Sequence, residues 1–325
     1  MPPVTLSGTA TSTGRSLPIE EAARKPGDAA AIAALREDGF DRFVAAERTV
    51  VDLVAEAIEK GLERNHLLAE DVDAVVFSTE SFWDTGVERS ADTLPEGRRI
   101  RDGLFEAMSR LGLRNAYPYA SWLSSCANLG PALVLAKSLV ETGQHARVLV
   151  ALADRQPAAL GPLMDNGASV YSDLAVCCTL DRRDAGYRVE RVVSHASPGL
   201  ATLRAPDAGP NFVLETNRAV KALGRKFRAA TGKGCDAYRL VLTNNYNLHS
   251  LKIICDALGI DGAAVRRDTR ADIAHGNASD PLVTLDHLTQ ADAVADGEEV
   301  LLLSTGVYCW SLVVLRRAAP SKVRP

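Results

Sequence analysis

Two apolar spacings alternate along this chain. Runs that are apolar at nearly every position occur at residues 73–79, 147–154, 174–180 and 238–243, and their length and Val/Leu content predict strands buried on both faces. Between them, apolar residues recur every three or four positions. Val50, Val51, Val54, Ile58 and Leu62 line one face of a helix predicted over residues 45–64, and Leu129, Leu133, Leu135, Ala136, Leu139 and Val140 line another that stops at Gly143. Further helices are predicted over residues 101–111, 214–231, 248–258 and 280–291. Residues 4–12, 115–123 and 187–197 read as strands, and 299–305 with 308–317 as a terminal pair across a glycine turn. The polar or Pro-rich stretches 14–41, 80–101 and 156–172 read as loops, the first with a short helix, and 318–325 as a frayed tail.

Strands alternating with helices predict an α/β protein with mixed or parallel sheets covered on both faces. The same grammar occurs twice, so two similar halves related by pseudo-twofold symmetry are expected, residues 1–183 and 184–325, meeting in the charged segment 181–186.

Composition narrows the class. The 325 residues are 46% hydrophobic and 24% charged, which is ordinary for a globular protein with room for two core-forming halves. A net charge of −4 with scattered arginines leaves no electrostatic footprint for nucleic acid. No apolar run reaches membrane-spanning length and the N-terminus lacks signal-peptide character, so a cytoplasmic protein is expected. The six cysteines show no Cys-x-x-Cys spacing, so reduced thiols are expected rather than zinc or disulfides.

One cysteine stands apart. Cys126, in Ser124-Ser125-Cys126-Ala127-Asn128-Leu129-Gly130, lies at a strand-to-helix junction where first-turn N–H groups and the helix dipole favour thiolate. Most free cysteines are small buried hydrophobes, but that has no reason to place one at such a junction. Cys126 is therefore the candidate nucleophile.

Four stretches together resemble the ketoacyl-ACP synthase III branch of the thiolase superfamily, over a span from about residue 50 to the C-terminus. Cys126-Ala127, the following helix with Gly143, Val148-Leu149-Val150 and Ala153-Asp154-Arg155 resemble the family's nucleophile block. Tyr171-Ser172-Asp173-Leu174-Ala175 resembles its Gly-Asp-Gly-Ala gate with both glycines missing. His275-Gly276-Asn277-Ala278-Ser279 is similar to its His-Gly-Asn-Thr-Ser turn, and Gly306-Val307-Tyr308-Cys309-Trp310 to its C-terminal hairpin loop. The resemblance implies a five-layer αβαβα fold, a homodimer, and covalent acyl transfer through Cys126 with no resident cofactor or metal.

One departure bears on the chemistry. The family's triad joins the cysteine to the asparagine of the His-Gly-Asn turn and to a histidine opening a His-Gln-Ala-Asn stretch; here that stretch aligns with Asn244-Asn245-Tyr246-Asn247. Asn244 stands in the histidine's place, and sliding the alignment by three residues puts Asn247 there instead. An amide donates a hydrogen bond but takes no proton at neutral pH, so Asn244 with Asn277 is expected to form an oxyanion hole without a base. A base is sought in Ser78-Thr79-Glu80, at the end of a buried strand, which resembles the Gly-Thr-Glu block of hydroxymethylglutaryl-CoA synthases; the alternative is that Glu80 opens a surface loop. His275 reads as a partner of its turn, and Asp280 either orients a neighbouring side chain or caps the next helix. Trp122, Asn247 and His275 are taken as substrate-binding candidates.

The resulting expectation is an acyltransferase in specialised metabolism. Cys126 takes an acyl group from an acyl-carrier-protein or CoA thioester, Asn277 and Asn244 hold the oxyanion, and Glu80 deprotonates the acceptor. The absence of a tryptophan near residues 38–43 favours the carrier protein, and Arg218, Lys221, Arg225, Lys226 and Arg228 on one helix offer it a basic face. The alternatives are decarboxylative condensation with malonyl-ACP and a non-catalytic partner subunit.

Overall fold

The computed structural model describes residues 2–82, 84, 96–157, 159–164, 167–203 and 209–319, without the side chains of residues 96–99. In chain order the strands are β1 (Thr5–Thr13), β2 (Arg15–Pro18), β3 (Arg42–Ala45), β4 (Ala74–Ser78), β5 (Tyr117–Ala120), β6 (Val148–Asp154), β7 (Leu174–Asp181), β8 (Tyr187–Ala196), β9 (Val241–Thr243), β10 (Val265–Arg266), β11 (Glu299–Thr305) and β12 (Cys309–Arg317). The helices are α1 (Asp28–Glu37), α2 (Val50–Arg64), α3 (Glu96–Arg110), α4 (Leu129–Glu141), α5 (Gly209–Thr231), α6 (Leu248–Leu258), α7 (Arg270–Ile273) and α8 (Asp280–Gln290).

The strands repeat one pattern twice. In spatial order the first five run β5-β4-β6-β7-β1 and the second five β10-β9-β11-β12-β8. In each set the first two pairings are parallel and the last two antiparallel. The two sets are joined edge to edge where Thr5 and Leu6 of β1 meet Arg188 and Tyr187 of β8. β2 and β3 pair apart, over a small core that includes Ile19, Leu35 and Phe40.

Strand alternation sorts the side chains into layers, since successive residues point to opposite faces. From β6, Val148, Val150 and Leu152 enter a central core with Leu129 and Leu133 of α4 and Leu282 and Leu285 of α8. Leu149, Ala151 and Ala153 face the other way, onto α2 and α3. In the second set Val300 and Leu302 of β11 join the central core, whereas Leu301 and Leu303 pack towards α5 and α6. Helix, sheet, helix, sheet, helix is the result, a thiolase-like five-layer αβαβα arrangement with α4 and α8 in the middle. Because both faces of the strands are covered, their sequences read as unbroken apolar runs.

Several expected boundaries move, each for a local reason. α2 begins at Val50 rather than residue 45, because Thr49 and Asp52 form a reciprocal capping box and residues 42–45 pair as β3 with β2. β9 starts at Val241, since Cys235–Ala237 is a short 3₁₀ turn. β5 covers only four of the residues expected over 115–123 and lies at the edge of the sheet. Trp83, most of the irregular stretch predicted before residue 96, and the tail 320–325 lie outside the described residues.

Candidate active site

Parallel pairing of β4 with both β5 and β6 brings the C-terminal ends of these strands together, the place where ligands collect in open α/β sheets. Glu80 follows β4, the Cys126 turn follows β5, and Asp154 ends β6. Cys126 lies in a 3₁₀ turn, Ser125–Ala127, one step ahead of α4 rather than in the helix's own first turn. The turn is sharp: Ser125 has a φ of +52°. It is held by the Asn128 amide, whose Oδ1 accepts from Ser124 N (2.9 Å) and whose Nδ2 donates to Trp122 O (3.2 Å). Across it runs the loop after β11, where a Cβ on Gly306 would lie 2.5 Å from the Ser124 carbonyl, so only glycine fits.

The second strand set supplies the opposite wall. The Cys126 carbonyl accepts from Ser304 Oγ (3.1 Å) and Asn244 Nδ2 (3.2 Å). The thiol donates to Asn277 Oδ1 at 3.4 Å and lies 3.7 Å from Ser125 Oγ, which in turn donates to Glu80 Oε2 at 3.1 Å. Ala274 and Asn277 have φ values of +52° and +53°. Thus three of the five described non-glycine residues with positive φ flank Cys126, an arrangement that costs free energy and persists only where surrounding contacts enforce it.

Asn244 proves to have a different task from the one expected. It is fully buried and all of its polar valences go to structure: Nδ2 donates to the Cys126 and Asn277 carbonyls (3.2 and 2.7 Å), and Oδ1 accepts from Thr305 N and Oγ1 (2.8 and 3.1 Å). No donor is left for an oxyanion, so Asn244 bolts the Cys126 and Asn277 turns to β11. The Asn247 amide is likewise engaged by the fold. Its Oδ1 caps α6 by accepting from Ser250 N (2.8 Å), and its Nδ2 donates to Gly167 O (3.2 Å). Trp122 is half exposed and packs edge-to-face on Phe82 with centroids 5.3 Å apart. Cys126, Asn277, His275 and Glu80 do come together.

His275 and Asp280 are fully buried, with His275 Nδ1 2.6 Å from Asp280 Oδ2. Asp280 also accepts from the main-chain N–H groups of Asn245 (2.8 Å) and Gly276 (2.6 Å). Burial disfavours the imidazolium, but the Asp280 carboxylate and then the Cys126 sulfur outweigh it and lift the ring to about 10. Partial burial pushes the Glu80 carboxyl up, opposed by the Ser125 hydroxyl, while the side chain remains exposed to solvent. Beneath Glu80, Asp154 accepts from Glu80 N (2.6 Å), Thr79 Oγ1 and Ser81 Oγ, and burial raises its carboxyl to about 7. Sequence reading missed Asp154 and Ser125 as parts of this cluster. The one available signal was an acid ending a fully apolar strand.

Among the described residues no group of acidic, cysteine or histidine side chains is arranged to hold a metal ion, and no helix is long and apolar enough to cross a membrane. All six cysteines are free.

No protein-family model matches the chain. A β-ketoacyl-[acyl-carrier-protein] synthase III from Chlamydia caviae is 23% identical over 287 residues, which is 81% of each chain. Among solved structures, ChlB3, described as an acyltransferase, superposes with a TM-score of 0.77 at 17% identity, over 98% of this chain and 99% of that one. The 3-oxoacyl-[acyl-carrier-protein] synthase III of Aquifex aeolicus superposes with a TM-score of 0.72 at 17% identity, over 96% and 99%. OleA of Xanthomonas campestris gives 0.75 at 11% identity, over 96% of both. The chain is thus similar to a ketoacyl-ACP synthase III in sequence and shares the thiolase-like fold of these solved structures.

Proposed function

We propose that this protein is an acyltransferase that carries the acyl group on Cys126. The Cys126 sulfur attacks an acyl thioester, forming a new S–C bond as the donor's thiol departs, and the acyl group then passes to the oxygen, nitrogen or sulfur of an acceptor. The observation that carries this reading over decarboxylative condensation is the fate of Asn244. Condensation relies on a hole with more than one side-chain donor to hold an enolate, and here one of the two amides is consumed by main-chain bonds. Transfer to a protic acceptor needs a base, and Glu80 stands one hydroxyl away from the thiol with its carboxyl shifted towards the working range.

The donor we propose is an acyl-carrier protein or CoA thioester. α5 supports the former: Lys221, Arg225 and Arg228 line one surface hollow, and Arg225 with Lys226 lies close enough to β8 to add to burial in lowering the His195 ring. A homodimer through β5 is part of the same reading. That strand ends the sheet, and Tyr117 on it and Leu123 just beyond it are 61% and 80% exposed, an unpaired apolar edge directly beside the Cys126 turn.

Intact-protein mass spectrometry tests the covalent step. Incubation with a panel of acyl-CoA and acyl-carrier-protein donors is expected to add one acyl mass to the wild type and none to Cys126→Ala. An adduct on both proteins, or on neither with every donor, contradicts it.

A further inference from the structure

We propose that the Ser125 hydroxyl is a catalytic residue of the transfer step, the relay through which the acceptor's proton reaches Glu80. This rests on the reading of Cys126 as the acyl-carrying nucleophile and of Glu80 as the base. It adds the group that connects them.

The turn does not need this hydroxyl. Its main chain is closed by Ala127 N on Ser124 O (3.0 Å) and Asn128 N on Ser125 O (2.8 Å), and the Asn128 amide ties Ser124 to Trp122. A φ of +52° lies in the region that glycine enters freely, so a residue serving the backbone alone would be glycine. Serine hydroxyls in turns ordinarily bond to neighbouring main-chain groups. Among the described residues this one does not: it donates to Glu80 Oε2 at 3.1 Å and lies 3.7 Å from Cys126 Sγ.

Glu80 is held against it from the other side. Glu80 N donates to Asp154 Oδ1 (2.6 Å), and Ser81 Oγ donates to Arg155 O (2.9 Å) while accepting from Arg155 N (2.8 Å), so the end of β4 is fastened to the end of β6. Among the described residues Ser125 Oγ is the one hydrogen-bond donor to the Glu80 carboxyl. The Glu80 side chain also reaches solvent, so a proton delivered there passes on to water. A hydroxyl has one proton to give and lone pairs to take another. With Glu80 ionised, a charge-assisted bond draws the serine proton to the carboxylate and leaves the lone pairs for the acceptor. The other charged groups described around the carboxyl are Asp154 beneath it and, across Cys126, His275 with Asp280; Arg155 is turned to Asp84 at 3.1 Å.

Protons and electron pairs balance. The acceptor attacks the carbonyl carbon of the acyl-Cys126 thioester through its oxygen, nitrogen or sulfur, forming the new bond to carbon. Its proton goes to Ser125 Oγ as the serine's own proton goes to Glu80 Oε2, so two protons move and Ser125 stays neutral. The C–S bond then breaks with its electron pair on Cys126, whose negative charge replaces the one Glu80 has lost. Glu80 releases its proton to water, and Ser125 ends as it began.

p-Nitrophenyl acetate acylates a reactive thiol without a carrier protein or CoA, and water or methanol then serves as the acceptor. In the full chain the nitrophenolate burst and the protein mass count acylated Cys126, with Cys126→Ala as background, and loss of the adduct mass gives the transfer rate. The wild-type rate is expected to rise with pH as Glu80 ionises. Glu80→Gln is expected to abolish that rise, which assigns it to Glu80 rather than to Asp154 or His275. Ser125→Gly, which suits the backbone, and Ser125→Ala are each expected to transfer about 10- to 100-fold more slowly. In both, the remaining rise moves to higher pH, because the bond that favours the ionised carboxyl is gone. Either serine variant, folded by circular dichroism and showing the wild-type rate and profile, overturns the proposal. The wild type alone supplies a second readout: its rate in mixtures of light and heavy water is expected to bow, as two protons in flight require, whereas a linear dependence overturns the relay. An adduct that the folded protein discharges no faster than the unfolded one overturns it as well. Absence of any Cys126 adduct instead removes the acyl-carrying reading, and this inference with it, so the two failures are told apart.

Discussion

Replacing Asn244 by Ala separates the structural role found here from the oxyanion role its sequence position suggests. The substitution deletes four hydrogen bonds in a fully buried place. The Cys126 carbonyl keeps Ser304 Oγ as a partner, so the groups that lose Asn244 without such compensation are the Thr305 N–H and the Asn277 carbonyl. Each buried polar group left unmatched costs about 1–3 kcal/mol, which sums to roughly 2–6 kcal/mol. For a chain of this size that lowers the melting temperature by roughly 4–10 °C. Calorimetry gives the shift, and acylation of Cys126 by mass at low temperature, where the variant remains folded, gives the catalytic cost. The account expects a large loss of stability with acylation within about tenfold of wild type. An unchanged melting temperature with acylation down by about 10²–10³-fold would mark Asn244 as an oxyanion donor and refute the reasoning.

Other consequences are measurable. Gly306→Ala forces a Cβ against the Ser124 carbonyl, so it is expected to cost about 1–3 kcal/mol in chemical denaturation and to impair acylation together, unlike a remote glycine. Asp154 has its carboxyl raised by burial from 3.8 to about 7, so the folded state binds a proton that the unfolded state has lost; stability falls as pH rises between those values, by up to about 4 kcal/mol, and is not regained above them. Asp154→Asn is expected to flatten that fall and to raise the melting temperature at about pH 8; an unchanged pH dependence contradicts the assignment. Leu123→Asp places charge on the exposed apolar edge beside β5 and is expected to convert a dimer to monomers in size-exclusion chromatography. A wild type that elutes as a monomer removes that proposal.

Much of the architecture was legible because burial on both faces leaves a simple trace. The runs 147–154, 174–180 and 299–305 match β6, β7 and β11 to within a residue, and the helix expected over 248–258 is α6, capped by Gly259. β2 and β3 were not legible, since Arg15–Pro18 and Arg42–Ala45 are short, each opens on an arginine, the first ends in proline, and they pair only with each other. The site was half legible. Cys126, Asn277 and Glu80 carry their chemistry in residue type and position, and all reach one place. The main-chain and side-chain bonds that engage the Asn244 and Asn247 amides were not legible, because which valences an amide has free is a tertiary property. Asp280 was weighed as an orienting group, but its target, a ring five residues earlier bent back by two positive-φ residues, exists only once the turn is closed.

The central claim is that the acyl group on Cys126 goes to a protic acceptor and not to carbon. Protein carrying the acyl adduct is divided and chased with malonyl-ACP, or with a panel of small alcohols, amines and a second carrier thiol, while the adduct mass and carbon dioxide release are followed. The account predicts an adduct that survives malonyl-ACP without carbon dioxide and is discharged by a member of the protic panel. Carbon dioxide release with formation of a β-ketoacyl product would contradict it and assign the chain to condensation.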